Sequence, residues 1–312
     1  MNPITSLSTH DLSIALSVDV KNYIAASISE NTKRAYQKWL SIFTSHGFSI
    51  PCTSTDVVSF LTSIKKADGN NYSAQSLNQA LAAIAYACEL MGAPNSTNDA
   101  VVKTVFSGFK RVHGTRPTRQ AAPVKKDSLI EHLKKPTSKI EVRNNALILI
   151  GFFGAFRRSE LSDLEFNDVK FTNEGVVLTL KKSKTNQEGK LEQKFIPLHN
   201  DKLCPCKALK FWLEVSGIKE GKLFRNIKKN GELGESISPN AINLIIKNAF
   251  NEVETSGVLS VSGHSLRVGL ITTCALAKIP VAKIQAVTGH KTPQMIAHYS
   301  REVEGFDSYP EI

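Results

Sequence analysis

The segment "SGHSLRVG", residues 262–269, is the most informative part of this chain. It places a titratable ring, His264, three positions before a permanent cation, Arg267, among residues that are otherwise small or apolar. The spacing predicts a helix with both side chains on one face, since residues three apart are neighbours along a helix. An isolated pair of this kind is usually a hydrogen-bonded core histidine beside a solvated arginine. Its meaning therefore depends on the motifs around it.

A second motif, "GAFRRSEL" at residues 154–161, follows the apolar run "ALILIGFFGAF" at 146–156. That run is too short to span a bilayer, so we expect a buried helix. Arg157 and Glu160 would then lie at the edge of a rigid core. Adjacent helix positions point about 100° apart, so only one of Arg157 and Arg158 can face a given ligand.

Two further motifs lie in the same half of the chain. "KSKT" at 182–185 places Lys184 in a polar loop between two β-rich runs, residues 176–180 and 194–198, which predict a hairpin. "TGHKTPQMIAHYS" at 288–300 supplies His290 and, nine residues later, Tyr299. Each is weak alone, because a hairpin lysine is usually solvated and a lone tyrosine usually contributes to packing.

Composition favours a globular protein with a polyanionic partner. The chain has a formal net charge of +11, with 41% hydrophobic and 21% charged residues. A polyanionic partner fits this charge, and nucleic acid is the commonest one. An anionic membrane would need a basic amphipathic helix or a lipid anchor, and neither is evident. We expect no secretory signal, no zinc site and no disulfide framework from the opening residues and the five cysteines.

The first part of the chain, to about residue 112, has helical periodicity throughout. Its segment "SENTKRAYQKWLSIF" begins at a helix cap, Ser29 or Asn31, and exposes Lys33 and Arg34. A basic stretch without acidic residues follows at 109–126, and it contains Lys110, Arg111, Arg116 and Arg119. We predict a linker at 113–126, which either tracks a phosphate backbone or is a solvated tether.

The order of these motifs resembles that of the tyrosine recombinase family, also called the lambda-integrase family. Its pattern is Arg-x-x-Glu, a hairpin Lys, His-x-x-Arg, a Gly-His pair and a Tyr nine residues later. Around "GHSLRVG" the likeness is closest to Cre-like phage and plasmid recombinases, although His290 stands where Cre has a tryptophan. The resemblance implies a mainly α fold with a small β-sheet. It comprises a helical, SAM-like core-binding domain at 1–112, the linker at 113–126 and an α+β catalytic domain at 127–312.

The resemblance also implies the residue roles. Tyr299 would attack the scissile phosphate to form a 3′-phosphotyrosyl bond and release a 5′-hydroxyl, with no metal, cofactor or ATP. Arg157, Arg267, His264 and His290 would bind the phosphate, and His264 would also serve as the base. Lys184 would protonate the leaving oxygen, and Glu160 would orient a neighbouring group. The DNA-binding residues would be Lys33, Arg34, Lys110, Arg111, Arg116 and Arg119.

The expected partner is double-stranded DNA with an inverted-repeat site, bound by a homotetramer on two sites, with accessory DNA-bending factors and no membrane. The protein would be cytoplasmic, or nuclear in a eukaryotic host. Three alternatives stay open at this point. They are a catalytically silent DNA-binding regulator, a related strand transferase such as a type IB topoisomerase or telomere resolvase, and a basic structural protein.

Overall fold

The computed structural model describes residues 27–115, 120–181, 192–250, 259–290, 292–294 and 296. The chain divides into two compact units, Met1–Thr118 and Arg119–Ile312. Among the described residues, no helix is both long enough and apolar enough to cross a bilayer. All five cysteines are free thiols.

The first unit is helical over its described residues. Its helices are α1 (Glu30–Ser45), α2 (Ser54–Ser63), α3 (Ala74–Leu90) and α4 (Ala100–His113). Each begins at a residue whose side-chain oxygen accepts a hydrogen bond from a free N–H of the first turn: Ser29, Thr53, Ser73 and Asp99. Ser29 is thus the cap of α1, one of the two that the sequence predicts.

The core of the first unit follows the predicted helical faces. Phe43 of α1, Phe60 of α2 and Ile84 of α3 are almost completely buried. The rings of Phe43 and Phe60 meet edge to face, with their centroids 4.9 Å apart. These contacts join three helices around one apolar cluster.

The second unit combines helices with two small sheets. Its described helices are α5 (Lys126–His132), α6 (Lys139–Phe153), α7 (Arg158–Asp163), α8 (Pro205–Ser216), α9 (Pro239–Ala249), α10 (Ser265–Leu276) and α11 (Val281–Thr288). Its described strands are β1 (Gln120–Ala121), β2 (Val169–Phe171), β3 (Gly175–Leu180), β4 (Glu192–Pro197) and β5 (Leu259–Ser260). Helix α6 is the predicted buried helix, and Ile148 and Ile150 on it are at most 1% exposed.

The sheets connect distant parts of the second unit. Strands β2, β3 and β4 form an antiparallel sheet in that order, so the predicted hairpin is confirmed in the pairing of β3 with β4. Strand β1 pairs in parallel with β5, so that Gln120 lies opposite Leu259. The chain's entry into the second unit therefore lies beside the residues that precede α10.

The stretch predicted as a linker, 113–126, differs in the structure. Helix α4 continues to His113, and residues 120–126 belong to the second unit. Ala122 and Val124 are 3% and 0% exposed and lie in its core. The basic residues of this stretch predict an exposed linker, but the apolar residues between them are buried in the core. Charge along a segment does not show which of its side chains face inward. Residues 116–119 lie outside the described residues.

Gly269 is required where this entry segment crosses α10. A Cβ atom built on Gly269 would lie 1.8 Å from the carbonyl oxygen of Val124, and backbone atoms cannot yield as a flexible side chain can. The N–H of Val124 donates to the carbonyl oxygen of Ser265 at 3.1 Å, which fixes the crossing. Helix α10 and the entry segment therefore depend on each other.

We predict that Gly269→Ala lowers the free energy of unfolding by at least about 1–3 kcal/mol, because the added methyl overpacks a rigid backbone contact. Urea denaturation followed by circular dichroism measures the change. The matched control is Gly108→Ala on α4, where a Cβ meets nothing within 4 Å. That change should raise stability by about 0.5–1 kcal/mol through helix propensity. Equal stabilities for the two variants would contradict the predicted contact.

Candidate active site

The candidate site is built around Arg267, which lies in the first turn of α10 and is 1% exposed. Its Nη1 donates a hydrogen bond to the carbonyl oxygen of Ala155 at 2.7 Å. Ala155 lies in the turn between α6 and α7 and has a left-handed backbone, with φ of 49°. Such a conformation costs a residue with a side chain about 1 kcal/mol or more. Here it presents the carbonyl to the buried guanidinium.

Arg157 and Glu160 lie at the start of α7, directly after that turn. Arg157 caps the helix, and its backbone N–H donates to Glu160 Oε2 at 2.8 Å. Its Nη1 also donates to Glu160 Oε1 at 2.5 Å. Because the Glu160 side chain is only 3% exposed and that of Arg157 is 21% exposed, the carboxylate lies behind the guanidinium and holds it toward the open side. This geometry fits the orienting role predicted for Glu160.

His264 occupies the N-terminal cap of α10, so the pair is not two residues within one helix as the sequence predicts. The residue as a whole is exposed, although many protein atoms surround its ring. Desolvation by these atoms, together with Arg267, Arg157 and Arg158, lowers the pKa of His264 to about 4. The imidazole is therefore neutral in the free protein near neutral pH and able to accept a proton.

His290 follows α11, after Gly289 ends that helix in the left-handed conformation with φ of 68°. The ring is buried, and its Nδ1 lies 2.7 Å from the Thr288 hydroxyl. That hydroxyl donates its one proton to the carbonyl oxygen of Ile284 at 2.8 Å. We infer that Nδ1 carries the proton and donates to Thr288, which leaves Nε2 facing Arg267 Nη2 at 3.3 Å.

The same surroundings make His290 a weak base in the free protein. Burial is the largest cause, followed by Arg267 and Arg157, and together they lower the pKa of His290 to about 4. A bound phosphate anion would oppose the two arginines and favour the imidazolium. The site is therefore prepared for a negatively charged ligand.

Lys194 is a site residue that the sequence analysis missed. It lies on β4 with a side chain 5% exposed, and its charge acts on both His290 and Arg267. The alternation of β4 could have found it, since position 194 shares the inward face with the buried Ile196.

The remaining predicted residues belong to the first unit or lie outside the described residues. Lys184, Tyr299, Arg116 and Arg119 lie outside the described residues, so their predicted roles have no structural description. Lys33 and Arg34 are on α1, where Lys33 forms an ion pair with Glu30 at 2.5 Å. Lys110 and Arg111 are exposed in the last turn of α4.

The described cluster can bind an anion through the fixed donors of two guanidiniums. Two imidazoles, which are neutral in the free protein, lie beside them and would donate once protonated, and the four side chains come from three segments of the second unit. Arginine binds phosphate well because its planar fork donates two parallel hydrogen bonds. In the part of the chain that the structure describes, no group of three or more His, Cys, Asp or Glu side chains is arranged to hold a metal ion.

Comparison with known proteins identifies the family. Residues 124–304 match the phage integrase family. An integrase/recombinase xerD homolog from Selenomonas ruminantium is 30% identical over 296 residues, which cover 91% of this chain and 85% of that protein. The chain belongs to the phage integrase, or tyrosine recombinase, family.

Solved structures of tyrosine recombinases share its fold. The XerH site-specific recombinase bound to a palindromic difH substrate gives a TM-score of 0.61 at 16% identity, covering 89% of this chain and 78% of that one. A lambda integrase dimer bound to a COC′ core site gives 0.60 at 17% identity, covering 94% and 96%. The predicted family and the mainly α fold with a small sheet are confirmed. The narrower placement near Cre-like enzymes stays a prediction, as do the individual residue roles.

We predict that His290 makes the stability of this recombinase pH-dependent. Its pKa of about 4 in the folded chain lies below the ordinary value of about 6.5, so the unfolded chain takes up a proton first as pH falls. Stability is therefore lost between about pH 6.5 and 4, and nothing is lost above that window. Between pH 7 and 5 the loss from His290 should be about 2 kcal/mol.

Urea denaturation of the wild type and His290→Gln at pH 7 and pH 5 measures this loss. The variant should lose less stability than the wild type over the interval, because Gln takes up no proton. His113→Gln, which changes an exposed ring at the end of α4, serves as the control and should keep the wild-type dependence. The same dependence in all three proteins would show that His290 is not held neutral.

Proposed function

We propose that this protein is a site-specific DNA recombinase that cleaves and rejoins DNA through a 3′-phosphotyrosyl intermediate, without metal or ATP. The observation that carries the proposal is the convergence of Arg157, Arg267, His264 and His290 in one cluster. A phosphodiester gains negative charge as it is attacked, and preorganised donors stabilise that charge without moving. Family membership supports the same reaction.

The proposed cleavage step uses Tyr299 as the nucleophile. Its phenol oxygen bonds to phosphorus while the bond from phosphorus to the 5′-oxygen breaks. The phenol proton passes to His264, which is neutral in the free protein, and Lys184 protonates the departing oxygen. The covalent intermediate conserves the energy of the phosphodiester, so rejoining to a 5′-hydroxyl needs no nucleotide cofactor.

The proposed substrate is double-stranded DNA with an inverted-repeat site. XerH is bound to a palindromic difH substrate in its structure, and the lambda integrase dimer is bound to a core site. By analogy, we propose that this chain assembles as a homotetramer on two sites. The first unit would bind DNA through Lys33 and Arg34, and the second unit would carry out the chemistry.

The covalent intermediate gives the decisive test. Nicked duplexes drawn from the host element and its flanks are incubated with the protein in EDTA without ATP, and denaturing gels detect DNA joined to protein. We expect an adduct from the wild type and none from Tyr299→Phe. Sequencing of the trapped DNA identifies the site. Specific binding without an adduct would instead favour a catalytically silent DNA-binding regulator.

We also predict that the basic stretch at 109–126 contacts the phosphate backbone. Changing all four of its predicted DNA-binding residues to Gln removes up to four phosphate contacts. The slope of log affinity against log salt should then flatten by up to about 3.6, at about 0.9 per contact. Fluorescence anisotropy at several salt concentrations measures it. The residues changed are Lys110, Arg111, Arg116 and Arg119.

The control removes the same charge from exposed lysines of the second unit that are not predicted to bind DNA. Its slope should change less than that of the first variant. An unchanged slope in the first variant would mean that the stretch is only a tether. The control residues are Lys202, Lys207, Lys219 and Lys229.

A further inference from the structure

Strand β4 carries a lysine on the face that turns toward the core. Its side chains alternate, so that Phe195 is 68% exposed while Ile196 is 1% exposed. Lys194 shares the inward face with Ile196, and its side chain is 5% exposed. A buried ammonium is costly unless hydrogen bonds and opposite charge satisfy it. The Lys194 ammonium therefore needs a specific hydrogen-bond partner.

That partner is the end of α11, the helix that leads into His290. Lys194 Nζ donates to the carbonyl oxygen of Val287 at 2.8 Å, in the last turn of the helix. Carbonyls there have no partner within the helix, and the helix dipole favours a cation beside them. Glu192, two residues earlier on β4, also faces this turn, since its Oε1 would lie 2.9 Å from a Cβ on Gly289.

Lys194 also lies close to the segment that carries Arg157. Its Nζ is 5.7 Å from the ring centroid of Phe156, the residue just before that arginine. One side chain on β4 therefore touches the turn before His290 and approaches the residue before Arg157.

Lys194 interacts electrostatically with the charged residues of the site. Burial lowers the pKa of Lys194, Glu160 and Glu192 oppose that effect, and Arg267 and Arg157 add to it. In return, Lys194 is one of the cations that lower the pKa of His290, together with Arg267 and Arg157. Its charge and its hydrogen bond therefore both act on the histidine.

We propose that Lys194 is a positioning residue for DNA cleavage, which holds the turn that carries His290 against β4 and so sets that ring in place for the scissile phosphate. It acts through His290 because its ammonium is buried and directed at a carbonyl. This role rests on the proposed recombinase function. A displacement of about 1 Å at a reacting group can cost about 100-fold in rate, so a residue that does not touch the phosphate can still affect the rate.

The first experiment needs neither DNA nor activity. NMR titration follows the ring signals of the chain's eight histidines, and the signal absent from His290→Gln identifies His290. In Lys194→Met the midpoint of that signal should move upward, because a nearby cation has been removed. Lys210→Met changes an exposed lysine that lies over Phe171, and the His290 midpoint should stay in place. An unmoved midpoint in Lys194→Met would overturn the proposal.

The second experiment measures the rate of adduct formation on the trapped site together with DNA affinity. Lys194→Met should cleave about 10- to 100-fold more slowly at nearly unchanged affinity, whereas Lys210→Met should match the wild type. The double variant Lys194→Met/His290→Gln should be no slower than His290→Gln alone, because the lysine acts through the ring. Additive losses would mean that Lys194 acts independently of His290 and would overturn the proposal.

A modified substrate separates positioning from proton donation. Sulfur in place of the bridging 5′-oxygen leaves without needing a proton. Lys194→Met should remain slow on this substrate. Restoration of the wild-type rate would make Lys194 a general acid and overturn the positioning role.

The experiments distinguish a protein without recombinase activity from one in which Lys194 does not position His290. If the wild type forms no adduct with any DNA, the proposed function fails, while the NMR titration still tests the effect of Lys194 on His290. If Lys194→Met does not fold, Lys194→Gln replaces it in both experiments. Gln also lacks the charge, and the same upward shift and slower cleavage are expected.

Discussion

The second unit depends on keeping a permanent charge in its interior. Arg267 is 1% exposed, and a guanidinium cannot escape burial by losing its proton. Such a group is tolerated only where hydrogen-bond acceptors surround it. The left-handed turn at Ala155 directs a backbone carbonyl at it, and the ring of His290 is placed beside it. The turn at Ala155 and the segment at His290 are far apart in the sequence, and both thus place a partner beside the Arg267 side chain.

Arg267 also determines the chemical state of its neighbours. It is the first cation to act on both His264 and His290, and both rings are neutral near neutral pH as a result of desolvation and positive charge. In the absence of an anion the site therefore carries its positive charge on arginine and lysine, with the Glu160 carboxylate paired to Arg157. A bound phosphate would balance the positive charge that the fold holds in the site.

Much of this could be read from the sequence, and the exceptions have physical reasons. Arg157, Glu160, His264, Arg267 and His290 lie in short motifs with fixed spacing, and the structure brings them together. The pairing of β1 with β5 could not be foreseen, because two-residue strands far apart in sequence leave no periodic signal. Lys194 was missed because a lysine in a strand normally faces solvent, and only its tertiary partner at Val287 explains its burial.

The parallel pairing of β1 with β5 gives the second unit a mechanical property. Three hydrogen bonds tie the entry segment to the region of α10: Ala122 to Ser260, Val124 to Ser265, and Lys126 to Thr273. Tension applied to the chain just before this segment would therefore load these bonds first, along the helix that carries Arg267. The entry segment is thus attached to the helix that carries Arg267. Force on this segment would act on that helix before it acts on the rest of the core.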